Sequence, residues 1–302
     1  MNHSYAVLCK TFFQNRFVAR RLRDLSARAT GGDFYVIHDS TRQCAQFGPD
    51  TRVVHARETD LIEAGFANYP AGNLFWYNAD YPLYRFFDRY PDYDYYVMVE
   101  FDAVATRGLD TLVRQAAAEG TDFIGQPIDT PVGEWKWLES CDGLYARHEV
   151  KPYLLCVSLF SHRAVRLLRD RRLELSRAYR ARQTTSWPIA EAFVGTELHR
   201  DGMAVRHLDA YGRLGRYDVW PPYHELQLSG LSGQLFIHPV LNGKRYWRGL
   251  LRNGLFPALR AWGDMALGRE RSYEPWTARR LSPARSASMA TRIPFRSGAN
   301  QA

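Results

Sequence analysis

Short apolar runs punctuate the first half of the chain: YAVLC (5–9), DFYVIHD (33–39), RVVHA (52–56), YYVMVEF (95–101) and DFIGQ (122–126). Each is rich in β-branched and aromatic residues and bounded by turn formers, which predicts strands. Between them, NRFVARRLRDLSARA (15–29) and GLDTLVRQAAAEG (108–120) carry apolar residues at helical spacing. Strands apolar on both faces, alternating with amphipathic helices, predict an α/β fold whose sheet is covered by helices on both sides. The chain turns irregular from about 127 to 155, around Pro127, Pro131 and Gly133. A strand at 153–161 then feeds a basic helix over about 162–182. A further helix is expected to begin near Trp187-Pro188, where proline suits the first turn, and to stop at Gly202. A strand at 203–209 and the segment LFIHPV (235–240) close the predicted core, and no internal repeat is visible.

The stretch VMVEFDA (97–103) ends a buried strand in two carboxylates, Glu100 and Asp102. Alternation along a strand places both on one face, at the carboxyl end of a central parallel strand. In open α/β sheets that edge is where ligands bind. Two like charges so close raise each other's pKa unless something positive lies between them. A hard divalent cation, Mg2+ or Mn2+, is a natural partner, and it can in turn hold a nucleoside diphosphate. The plainer alternative is a solvated strand end. Neither GxGxxG after the first strand nor GxxxxGK[ST] occurs, which argues against a dinucleotide or P-loop site.

Charge changes the picture less than its total suggests. The chain carries a net charge of +8, but from Arg269 onward seven arginines stand against two glutamates, so five of those charges sit in the last 34 residues. The body is only mildly basic, and nucleic acid is not an expected partner. Three segments follow: a single domain over 1–245, a basic amphipathic helical segment over 246–267, and a Ser-, Ala-, Arg- and Pro-rich tail over 268–302 with the composition of a flexible chain. Cys9, Cys44, Cys141 and Cys156 form no CxxC pair and read as buried free thiols. With no secretory leader and no apolar run of about 20 residues, a cytoplasmic protein is expected. In RYWRGLLRNGLFPALRAW (245–262), Trp247, Leu250, Leu251, Leu255, Leu259 and Trp262 fall at helical spacing with arginines opposite, although Gly254 and Pro257 weaken a continuous helix. That pattern fits either a final core helix or peripheral contact with the inner face of a membrane.

The stretch NLFWYNADYPLYRFFDRYPDYDYYVMVEFDAV (73–104) resembles a little-characterised group of glycosyltransferase-like proteins of GT-A type, with an aromatic Trp-x-Asn-x-Asp segment ahead of a Glu-aromatic-Asp strand end. The resemblance spans roughly 5–245. It implies a GT-A-like mixed sheet flanked by helices, and transfer of a sugar from a nucleotide-sugar donor to the hydroxyl of a saccharide or lipid-linked glycan, as in bacterial surface glycan synthesis. It implies a Mn2+ or Mg2+ site at Asp102, helped by Glu100. Glu100 departs from the usual Asp-x-Asp pattern; its longer arm can reach the ribose or a water, leaving Asp102 alone on the metal. In such enzymes a late histidine and a nearby lysine serve the metal and diphosphate, which His238 and Lys244 match loosely. Glu191 is the candidate general base, ahead of Glu197 and Asp142, although a carboxylate in a first helical turn is also favoured by the helix dipole alone. Asp39 is a candidate for the base or ribose of the nucleotide, or a strand-end turn residue. Asp80 orients the donor or caps a helix. Trp135 and Trp137 stack on a sugar or pack in the core. A GT-A-shaped protein that binds a glycan or partner without catalysis is the alternative.

Overall fold

The computed structural model describes residues 3–214, 217–231 and 233–266, with side chains as far as Asp264; the arginine-rich tail lies outside the described residues. The chain begins with β1 (Tyr5–Thr11), α1 (Arg16–Ser26), β2 (Asp33–Asp39) and β3 (Val53–Ala56). The short helices α2 (Glu58–Glu63), α3 (Leu74–Tyr77) and α4 (Tyr81–Arg89) lead to β4 (Tyr95–Glu100) and β5 (Val104–Ala105). Then follow α5 (Leu109–Ala118), β6 (Phe123–Pro127), β7 (Tyr153–Ser161), α6 (His162–Arg180), α7 (Ala190–Arg200) and β8 (Val205–His207). Three two-residue strands, β9 (Tyr223–His224), β10 (Phe236–Ile237) and β11 (Val240–Leu241), precede α8 (Gly243–Leu251) and α9 (Leu255–Ala266).

Seven strands form one mixed sheet in the order β3-β2-β1-β4-β7-β6-β8. β4 runs parallel to β1 and antiparallel to β7, so it is central. Alternation sorts its residues onto two cores. Ala6, Leu8, Tyr96 and Met98 join a cluster with α4, α6 and α7. Val7, Cys9, Val97 and Val99 join α1 and α5 on the other side. The expected α/β sheet covered on both faces is therefore present. Helix starts are fixed by side chains: Asn15 Oδ1 accepts from Val18 N at 3.0 Å before α1, and Ser161 Oγ accepts from Ala164 N at 3.2 Å before α6.

Three local expectations need correction. β4 ends at Glu100, and Ala103 N donates to Glu100 O at 2.9 Å, so Asp102 sits in a turn and strand alternation does not govern its direction. The strand foreseen over 203–209 shrinks to an edge strand of three residues. The amphipathic stretch after 245 is not one helix: Gly254, at φ +99, separates α8 from α9.

Candidate functional site

At the carboxyl end of the parallel strands, the order reverses between β1 and β4, since β2 and β3 lie to one side and β7 to the other. A crevice of this kind is where open sheets bind ligands. Lys10 and Glu100 are register partners across that point, and Lys10 Nζ lies 2.7 Å from Glu100 Oε1. Sequence reading missed Lys10; the available signal was a lysine ending a strand as apolar as YAVLC. Burial pushes Glu100's pKa up, but Lys10 and His238 outweigh it and hold the carboxyl below its usual range.

Asp102 experiences the opposite balance. Burial and the Glu100 charge raise its pKa to about 6, against the pull of His238 and Lys10. Its Oδ1 is buried with no hydrogen-bond partner. A late segment reaches it because β5 pairs antiparallel with β10, and Val240 N donates to Asp102 O at 2.7 Å. That pairing carries His238 inward, 4% exposed, with its Nε2 3.8 Å from Asp102 Oδ1. His238 Nδ1 lies 2.8 Å from Asp218 O. A carbonyl only accepts, so in the neutral ring Nδ1 carries the proton and the Nε2 lone pair faces Asp102.

An orphaned carboxylate oxygen beside a free imidazole nitrogen fits a divalent cation. Glu100, Cys156 and His238 also each offer an atom, all within 4.8 Å of one another. Burial, Glu100 and Asp102 push the Cys156 thiol well above its ordinary pKa, so it stands as a neutral thiol rather than the thiolate that ligates metals. Asp102 and His238 could thus offer donors to Mn2+ or Mg2+, while Glu100 is paired with Lys10.

Glu191 opens α7, on the sheet face that carries Lys10 and Glu100. Helix α7 lies close against β7: a Cβ on Gly195 would sit 2.1 Å from Lys151 O and 2.4 Å from the Tyr153 ring. Burial and the Glu100 charge raise the Glu191 carboxyl to about 7, against Lys136 and Lys10. The rival carboxylate Glu197 is committed elsewhere, accepting from Tyr145 Oη at 2.7 Å.

Among the described residues, no hydrogen bond or ion pair joins Asp39, Asp80 or Lys244 to this group. Asp80 belongs to the framework: Arg172 Nε donates to its Oδ2 at 2.7 Å, and the paired side chains are 0% and 1% exposed. Tyr84 Oη donates to the same oxygen at 2.9 Å, and no side-chain cap bond is made. Neither donor contact nor helix capping describes it; its neighbours were invisible because Arg172 is 92 residues away. Asp39 stands at the carboxyl end of β2 and accepts from Thr41 N at 3.0 Å, a strand-end turn. Lys244 is exposed in the first turn of α8, where it makes no hydrogen bond or ion pair among the described residues. Trp135 is buried in the core, whereas Trp137 meets the half-exposed Trp76 edge-on at 5.6 Å. All four cysteines are free, but Cys44 is exposed, contrary to the expectation of burial.

No protein-family model and no curated protein matches the chain. Among solved structures, mouse xyloside xylosyltransferase 1 in its apo form aligns over 78% of this chain and 97% of that one, at 10% identity and a TM-score of 0.44. Likeness at that level assigns neither substrate nor residue role to this chain.

Proposed function

We propose that this protein transfers a glycosyl group from a nucleotide-sugar donor to a hydroxyl of a saccharide or lipid-linked glycan. The observation that carries the reading is the carboxylate constellation at the strand-order reversal. Asp102 has an orphaned buried oxygen facing His238, and Glu191, its pKa raised to about 7, feels the charge of the neighbouring Glu100. A base poised near neutrality is what deprotonation of a sugar hydroxyl requires.

In the proposed reaction Glu191 accepts the acceptor hydroxyl's proton as that oxygen bonds the anomeric carbon. The bond from that carbon to the diphosphate oxygen breaks, its electron pair leaving with the diphosphate, and attack opposite the leaving group inverts the centre. Asp102 and His238 would hold a Mn2+ or Mg2+ ion, which when bound supplies charge stabilisation for the departing diphosphate. Lys136 faces Glu191 electrostatically and lies 5.1 Å from the Trp137 ring centroid. The Trp76–Trp137 pair, beside that lysine, is the proposed stacking surface for the acceptor sugar. Synthesis of a bacterial surface glycan on the cytoplasmic side of the membrane is the setting we propose.

One observation favours the non-catalytic alternative. Lys10 occupies, as an internal cation, part of the role a metal would have beside Glu100. A thermal-shift screen of UDP, GDP, CMP and dTDP, with and without Mn2+, separates the two readings. Metal-dependent stabilisation by one nucleotide, lost in Asp102→Ala, is expected. A flat response to every nucleotide, alongside stabilisation by an oligosaccharide, would establish the glycan binder instead.

A further inference from the structure

Twelve large apolar side chains are exposed among the described residues, and six of them fall within α8 and α9: Trp247, Leu251, Leu255, Phe256, Leu259 and Trp262. These are not residues awaiting the core. The inner faces of the two helices already pack Tyr246, Leu250, Ala258 and Ala261 against Trp220, whose Nε1 donates to Gly249 O at 3.1 Å. The outer face is left apolar after docking is complete, with Phe256 85% exposed. Lys244, Arg248 and Arg260 are exposed on the same two helices and Arg252 directly after α8, and the only acidic residue of the two helices is the buried Asp264.

We infer that the outer face of α8 and α9 is a docking surface for an anionic lipid bilayer. Apolar side chains 247–262 bordered by cations match an acyl boundary beneath negative headgroups. Tryptophans at both ends of the patch suit the headgroup level. Neither helix is long and apolar enough to cross a membrane. The pair therefore lies on the surface. Gly254, at φ +99, turns the chain between the two helices, and the inner residues of both pack on one cluster around Trp220. Helix α8 begins two residues after β11, and Arg245 in its first turn senses the charge of Asp102. Docking would thus hold the catalytic crevice close to the lipid. Only the benefit of that placement, delivery of a lipid-linked acceptor, rests on the proposed transfer reaction.

Flotation of the full-length chain with vesicles tests the surface without reference to catalysis. Wild type should float with phosphatidylcholine–phosphatidylglycerol vesicles, much less with phosphatidylcholine alone, and less as salt rises. Phe256→Glu combined with Leu259→Glu should weaken binding about tenfold or more, with an unchanged melting temperature because both residues are exposed. Arg248→Gln with Arg252→Gln should weaken binding to the anionic vesicles alone. Equal flotation of wild type and the Glu variant would overturn the proposal. So would sedimentation equilibrium showing a wild-type dimer that the Glu variant dissociates, since a second copy would then cover this face.

Discussion

Glu191 keeps its proton to a pH that an exposed glutamate would not, and this has consequences for stability and activity that run in opposite directions. Its folded pKa, raised to about 7 from 4.5, means the native state binds more protons than the unfolded chain between those values. Stability from this group is complete below about 4.5 and is lost as pH rises towards 7. A neutral isostere escapes that loss. Glu191→Gln should melt at the wild-type temperature near pH 4 and several degrees above it at pH 8 in thermal scans. Transfer should run the other way: wild-type kcat/KM rises with pH through about 7, as the base loses its proton. Glu191→Gln should lower it roughly 10²–10⁴-fold and abolish that limb. A variant less stable than wild type at pH 8 would mean the side chain is structural. A flat pH profile in wild type would remove it as the base.

The helices that hold these residues depend on one buried ion pair. Arg172 of α6 pairs with Asp80, donates to Pro188 O at 3.0 Å and stacks on Phe193 at 3.8 Å, so a single guanidinium fixes α4, α6 and the approach to α7. Asn78 supports the same junction, accepting from Trp187 Nε1 at 2.7 Å. Asp80→Ala would strand Arg172 in the core at a cost of about 3–5 kcal/mol, readable as a large drop in denaturation midpoint. Unchanged stability would show that Arg172 finds another partner. Gly195→Ala should also destabilise, because its methyl would meet the Lys151 carbonyl and the buried Tyr153 ring, and by displacing α7 it should lower kcat. Much of this framework was legible beforehand because it is local. Strands such as DFYVIHD and YLLCVSLFS announce themselves by apolar runs, and VMVEFDA by its abrupt acids. What remained hidden is pairwise and distant. In the Trp-x-Asn-x-Asp segment, Asp80 read either as a donor contact or as a helix cap, because only its sequence neighbours were visible. In three dimensions Asn78 and Asp80 face the other way, towards Trp187 and Arg172. Lys10 went unnoticed, and Cys156 was read only as a buried free thiol, because nothing within a single strand shows which neighbour lies beside it.

Taken as a whole molecule, the crevice gathers groups from positions 10, 100, 102, 191 and 238, and so links the first strand to the last strands of the core. Such a site is a device for coupling ligand to global stability, and Lys10 sets how strong the coupling is. Its ammonium and a divalent cation compete for the same negative charge. In the absence of metal, Lys10→Met leaves Glu100 buried beside Asp102 with its nearest cation gone, and the variant should unfold at lower temperature than wild type. With Mn2+ present the order of the responses should invert. The variant has a more negative site, so it should gain more in melting temperature than wild type at the same Mn2+ concentration. At a hundredfold excess over the dissociation constant the gain is about 2.7 kcal/mol. EDTA should erase it. His238→Ala should blunt the Mn2+ response in both backgrounds, and because its ring is buried and bonded to Asp218 O it should also lower the metal-free melting point. If Lys10→Met is destabilised and Mn2+ fails to restore it, the ammonium is the permanent occupant of the crevice. The carboxylates would then serve the fold, and metal-assisted transfer would have to be abandoned.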